Sequence, residues 1–181
     1  MAHNASPDPG QAGAPSEGGA AARVHRYTVR CSWSGSTGVG YEAYDRAHAV
    51  SAPPAHLGPA MSSDPAFRGD ARLCNPEQLL VLAAASCQLL SFLAVAARTR
   101  IDVVAYEDEG EGEMPEDDQP MRLTRITLRP RITVAGDVAE SRVRHLVKVA
   151  HRECFIANSL RTEILVEPVI VVDPAIGVRP A

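Results

Sequence analysis

The sequence predicts an α+β domain with the element order ββ–α–ββ–α–β. Three observations predict it. Residues 79–97 form one uncharged, largely apolar run bounded by Glu77 and Arg98. Stretches of alternating apolar and polar residues lie on both sides of that run, the period of half-buried strands. A second stripe at helical spacing, Val143, Val147, Ala150 and Cys154, precedes a last apolar stretch at 162–172.

Residues 1–22 are mostly Ala, Gly, Pro and Ser and are expected to be a disordered tail. Residues 23–181 are expected to form one domain, long enough for a sizeable core. In YTVRCSW, Tyr27, Val29, Cys31 and Trp33 share the apolar face of a strand. The turn residues SGSTG and the alternating VGYEAY then predict a hairpin whose second strand is 39–44. The Pro-rich passage that follows, and residues 62–74, read as irregular connections, with Asp64, Arg68, Asp70 and Arg72 free to pair locally.

The long helix has a start signal: Asn75 as cap, Pro76 in the first helical position and Gln78 completing a capping box. The uncharged run is about 28 Å long at 1.5 Å per residue, close to a bilayer core. Ser86, Cys87, Gln88 and Ser91 in its middle, and strand-rich chain on both sides, favour a buried core helix over a membrane span. Leu82, Ala85, Leu89, Phe92, Leu93 and Ala96 fall on one side. Cys87 lies opposite among Ala83, Ala84, Ser91 and Ala94, small residues that leave room for a helix or a small molecule.

Beyond Arg100 a strand is expected, with Ile101, Val103 and Ala105 on one face. Residues 107–118 are strongly acidic, lack the spaced ligands of an EF-hand and read as a solvated hairpin tip. Residues 121–134 alternate, with Ile126, Leu128, Ile132 and Val134 inward and Arg125, Thr127, Arg129, Arg131 and Thr133 outward. Pro130 marks an edge or bulge. Asp137 and Glu140 then predict the capping box of the second helix. Pro168 interrupts the last strand.

The net charge of −4 argues against a general nucleic-acid or anionic-membrane binder. The four cysteines, Cys31, Cys74, Cys87 and Cys154, contain no C-x-x-C pair and form no disulfide scaffold. With no basic-then-apolar leader, a reducing cytoplasm is the expected location.

Taken on its own helix, Cys87 reads as a buried, inert thiol. Yet Cys87 and Cys154, 67 residues apart, both lie on inward helical stripes and could meet if the two helices pack. A disulfide needs Cα atoms within about 7 Å. A zinc site is the competing reading. His151 and Cys154 stand at i, i+3, with His145, His48 or Cys74 to complete a set, but the paired short spacings of zinc sites are missing. No G-x-S-x-G points to a serine hydrolase.

The stretch NPEQLLVLAAASC, followed by a small helical remainder and a strand running into an acidic turn, resembles the OsmC/Ohr family of bacterial thiol peroxidases. AHRECFIANSL at 150–160 resembles that family's second cysteine motif, and the likeness spans roughly residues 25–172. The resemblance implies an OsmC-like fold in an intertwined homodimer with sites at the interface. It implies Cys87 as peroxidatic and Cys154 as resolving cysteine, Glu77 as the glutamate of the NPE motif, and Arg46 in YDRAHAV as the arginine of the site, with His48 beside it. No cofactor or metal is implied. The substrate would be an organic hydroperoxide, the regenerant a dithiol such as a lipoyl-type compound.

Thiolate attack on an O–O bond fits these residue types. A guanidinium stabilises the thiolate, and a carboxylate such as Glu77 fixes the guanidinium bidentately. Ten helical residues nevertheless separate Glu77 from Cys87 by about 15 Å. Arg46 must bridge that distance, or the helix must bend, or a second subunit must contribute. Two departures, Gln88 after the first cysteine and CFIANS without a proline, point toward the OsmC side of the family. The alternatives are an OsmC-fold protein that binds a small hydrophobic ligand with little or no peroxidase activity, and a zinc or structural protein.

Overall fold

The computed structural model describes residues 23–45 and 48–175. The expected tail at 1–22 and Arg46 lie outside the described residues. Strand β1 (Val24–Ser34) buries Tyr27, Val29, Cys31 and Trp33 and exposes the residues between them, as the alternation predicts. The expected second hairpin strand at 39–44 is absent: a 3-10 turn at Thr37–Val39 and further turns occupy that stretch. Gly40, at φ 96°, breaks the strand there. The strand that pairs with β1 is instead the short β2 (Ala49–Ser51), within the passage read as irregular. That passage also contains β3 (His56–Met61), which pairs in parallel with β4 (Leu73–Cys74).

Helix α1 (Pro76–Arg98) begins as predicted. Asn75 Oδ1 accepts from the Gln78 backbone N–H, and the Gln78 side chain accepts from the Asn75 N–H. The helix is long and apolar enough to cross a membrane. In the fold, however, Leu82, Ala85, Leu89, Phe92, Leu93 and Ala96 are buried in the core against the sheet.

The acidic segment is not a hairpin tip. Strand β5 (Val103–Pro115) runs through it as the sheet's central strand, paired antiparallel with β1 along its length. Glu107 and Glu109 point outward, while Asp108, Gly110, Gly112 and Met114 point inward. Glycine contributes no apolar signal, so an outward-Glu, inward-Gly strand reads as a loop. Those glycines are needed for close approach: a Cβ on Gly112 would sit 2.6 Å from Val81 Cγ2 of α1. A register shift between Val103 and Ala105 moves Ala105 off the buried face and puts Tyr106 on it.

Strands β6 (Arg125–Leu128) and β7 (Pro130–Ala135) return antiparallel to β5, interrupted at Arg129 beside Pro130. Ile126, Leu128, Ile132 and Val134 are buried as expected; Thr127, expected outward, is buried as well. Helix α2 (Glu140–Glu153) starts at Ala139 without a side-chain cap, so the capping box at Asp137 and Glu140 does not form. Its stripe of Val143, Val147 and Ala150 is buried, and Cys154 separates it from the one-turn α3 (Phe155–Ser159). Strands β8 (Glu163–Val166) and β9 (Val169–Asp173), divided by Pro168, pair in parallel with β6 and β7.

Among the described residues the result is a seven-stranded sheet with α1 and α2 packed on one face. The other face carries cross-strand ion pairs: Arg26 with Glu111 and Glu113, Arg30 with Glu109, Arg129 with Glu111, and Arg125 with Glu163. The arginine row of 125–131 is thus largely matched by glutamates.

Candidate active site

Cys87 sits in the middle of α1, on the helix side that the sheet does not cover. It is half-buried, with half-buried Ala83, Leu90, Ser91 and Ala94 around it. Cys154 sits where the chain turns from α2 into α3 and is almost fully buried. The two thiols are neighbours, close enough for Cys87 to act on the ionisation of Cys154. Burial, foremost, and the neighbouring Cys87 push the Cys154 thiol up to about 11, although the backbone N–H groups of Ala157 and Ile156 pull the other way. At neutral pH Cys154 is therefore protonated.

Gln88 joins the helices next to this pair. Its Nε2 donates to the Val147 carbonyl of α2 at 3.4 Å. On the residue before Cys87, Ser86 Oγ lies 2.7 Å from His48 Nε2. His48, expected near the site, thus touches the neighbour of Cys87 in α1 and lines a different pocket, with Ser32, Trp33 and Glu107. The stretch before it is held by Trp33 Nε1 donating to the Asp45 carbonyl at 2.8 Å, and by the edge-on contact of Trp33 with Tyr44.

Cys87 opens into a cavity of about 590 Å3 walled by Tyr41, Tyr44, Leu90, Ala94, Phe155 and Asn158. At the same cavity, Arg98 is paired with Glu153 at 2.7 Å, and Arg152 contributes a second guanidinium. Glu77 is not there. It lines a separate groove with Leu80, Met121, Arg122 and Arg161, near the start of α1. Among the described residues no group of three His, Cys, Asp or Glu side chains is placed to hold a metal ion.

A second buried polar row runs through the sheet. Asp108 faces Cys31 across the β1–β5 ladder, and Tyr106 stands two residues away on the same buried face. Burial raises the Asp108 carboxyl to about 7, and the Arg129 backbone N–H, bonded to Oδ1 at 2.7 Å, only partly offsets it. Burial and then Asp108 push the Cys31 thiol up to about 12. Tyr106 is raised by burial, with further contributions from Asp108, Cys31 and Cys154.

The structure therefore brings together Cys87 and Cys154, with His48 close by, and leaves Glu77 apart. Sequence reasoning missed Tyr41, Tyr44, Ser86, Gln88, Arg152 and Asp108. Gln88 carried a usable signal: a polar residue four before Phe92 and seven after Val81, on the buried stripe of an apolar helix. Asp108 carried a weaker one, an acid at an inward position between outward glutamates.

A family model for OsmC-like proteins matches residues 69–169, more than half of the chain. This chain belongs to the OsmC family. The match takes in α1, β5 and α2, and so both cysteines. An OsmC-like protein of Vibrio cholerae is 27% identical, with a TM-score of 0.53 over 68% of this chain and 78% of that one. The organic hydroperoxide resistance protein OsmC of Legionella pneumophila is 18% identical, with a TM-score of 0.51 over 86% of this chain and all of that one. An organic hydroperoxide resistance protein of Elizabethkingia anophelis, with bound thiocyanate, is 18% identical, with a TM-score of 0.53 over 71% and 90%. These two share the fold. No curated protein sequence matches. The α+β architecture is that of OsmC-like proteins, a family associated with peroxide-related redox chemistry.

Proposed function

We propose that this OsmC protein is a thiol peroxidase that reduces organic hydroperoxides, and hydrogen peroxide more weakly. One observation carries the reading: two thiols from distant parts of the chain meet, one open to an apolar-walled cavity and the other sealed beneath it. The Cys87 thiolate attacks one peroxide oxygen, the O–O bond breaks, and the departing alkoxide takes a proton to leave as an alcohol. Cys87 is left as a sulfenic acid. Cys154 then attacks the Cys87 sulfur. The S–O bond breaks, the hydroxyl leaves with the thiol proton as water, and a disulfide forms. An external dithiol returns both thiols and is itself oxidised.

The guanidinium that steadies the Cys87 thiolate and polarises the peroxide is assigned to Arg46, which lies between Asp45 and His48. Glu77 would hold that arginine only across a dimer or along α1. We also assign a homodimer. The small-residue side of α1 around Cys87 is half-exposed, and Phe155 is 80% exposed beside the cavity. A cytoplasmic location suits four unpaired cysteines.

The test is one equivalent of cumene hydroperoxide followed by peptide mapping. A Cys87–Cys154 disulfide, and no turnover in Cys87→Ser, are expected. Unchanged thiols in the presence of a hydrophobic ligand bound in the cavity would favour a binding protein instead.

A further inference from the structure

We propose that the basic groove along α2 docks an acidic segment of the protein that carries the reducing dithiol. The inference rests on the peroxidase reading, because it assigns a partner to the same disulfide. The groove, about 550 Å3, lies between α2 and the β8–β9 junction. Arg144, Lys148, His151 and Arg152 line it over a floor of Val147, Val166 and Pro168. Arg144, Lys148 and Arg152 recur every four residues, so they span about 12 Å along the helix. That length suits an extended chain rather than a single small anion.

The charges in this groove are less fully matched than those of the outer sheet face. On the outer sheet face most cations are matched by glutamates. Here Arg144 is held by Glu140 at 2.6 Å and by the Pro168 carbonyl at 3.0 Å, which fixes one wall. Lys148, the one lysine of the sequence, and Arg152 have no ion pair among the described residues. Burial lowers the pKa of His151, so the unmatched positive charge comes from Lys148 and Arg152. In a chain of net charge −4, an unmatched basic strip favours an acidic partner, through steering as well as contact.

Its position identifies the partner. Arg152 lines both this groove and the cavity into which Cys87 opens. A segment seated along α2 therefore ends beside the exposed sulfur of the disulfide. The partner's thiolate attacks the Cys87 sulfur and forms a mixed disulfide, and Cys154 leaves and takes a proton. The partner's second thiol then displaces Cys87, so the partner is oxidised to a disulfide and both cysteines are reduced.

The test forms the disulfide with diamide, so that it does not depend on peroxide chemistry. Reduction is then followed by quench and mass spectrometry with two synthetic Cys-Gly-Pro-Cys peptides, one extended by four glutamates and the other by four glutamines. Each rate is normalised to the same peptide's rate with a small neutral disulfide. At low ionic strength the glutamate peptide should be about tenfold faster, an advantage that salt near 0.5 M removes by screening. Lys148→Glu should abolish the advantage and Lys148→Gln should reduce it, with unchanged rates for the glutamine peptide. Equal rates for the two peptides, or an advantage that survives Lys148→Glu, overturns the docking proposal and leaves the peroxidase reading standing. Charge selectivity in a protein whose thiols ignore hydroperoxide does the reverse. Failure of diamide to join the cysteines overturns both.

Discussion

Cys154 adjoins Cys87 from a site only 1% exposed, while Cys87 is half-buried and faces the cavity. The pair is asymmetric in access. A peroxide in the cavity reaches Cys87 first. Cys154, pushed up to about 11, is protonated at neutral pH. Such a division suits an attacking and a resolving thiol.

This asymmetry predicts selective labelling. Iodoacetamide added to the native protein should alkylate Cys87 and leave Cys154, Cys31 and Cys74 unmodified, as peptide mapping will read. After hydroperoxide, Cys154→Ser should stop at a Cys87 sulfenic acid that dimedone traps, while the wild type gives a disulfide and no dimedone adduct. Equal alkylation of Cys87 and Cys154 would contradict the assigned order of the two sulfurs.

Asp108 predicts a pH-dependent stability. Its folded carboxyl titrates near 7, against about 3.9 for an unperturbed aspartate. The folded state holds the proton more tightly, so the stability linked to this group is complete below about pH 4. It is lost as pH rises to about 7 and then levels off. A shift of this size corresponds to a few kcal/mol. Asp108→Asn keeps an oxygen for the Arg129 N–H and has no charge to bury. Urea unfolding from pH 4 to 8 should show the variant gaining on the wild type across that interval. Parallel curves would mean that the carboxylate is better solvated than its burial indicates.

Much of this molecule was legible in the sequence, and what was not has physical causes. The caps of α1, the stripe of α2 and the inward residues of β1, β6 and β7 followed local rules of spacing and hydrogen bonding. Strand β5 was lost because its inner positions carry glycines and an acid instead of apolar side chains. Their burial depends on how close α1 comes, a tertiary fact. The position of β2 was lost because three residues carry too little pattern against a run of prolines. At the site, the meeting of Cys87 and Cys154 was anticipated as one of several possibilities. The separation of Glu77 from Cys87 followed from helix geometry alone. The contact of Gln88 with Val147 depends on the angle between two helices, which no local pattern encodes.

The close approach of α1 to β5 makes Gly112 sensitive to size. Gly112→Ala would place a methyl 2.6 Å from Val81 Cγ2 and 2.9 Å from Leu123 Cδ2. One of these elements must shift, and overpacking of this kind costs about 1–3 kcal/mol. Chemical denaturation should show that loss. Val81→Ala removes the nearest clashing methyl, so the double variant should lose less than the sum of the single losses. Strict additivity would show that α1 moves as a body instead of being pressed at this point.

Gln88 predicts a conflict between stability and activity. Its side chain is 1% exposed, its Nε2–Val147 bond is long at 3.4 Å, and its Oε1 has no partner among the described residues. A buried orphan oxygen costs about 1–3 kcal/mol, more than a long hydrogen bond returns. Gln88→Met, of similar shape, should therefore raise the midpoint of urea unfolding. The same bond ties α1 to α2 one residue from Cys87, so it is positioned to fix where Cys154 stands against that sulfur. Gln88→Met should slow the step from sulfenic acid to disulfide several-fold and leave the first attack on hydroperoxide unchanged, as single-turnover stopped-flow followed by mass spectrometry will separate. A slowed first attack would place Gln88 at the peroxide. Unchanged rates in both steps would mean that the helices keep their alignment through apolar packing alone.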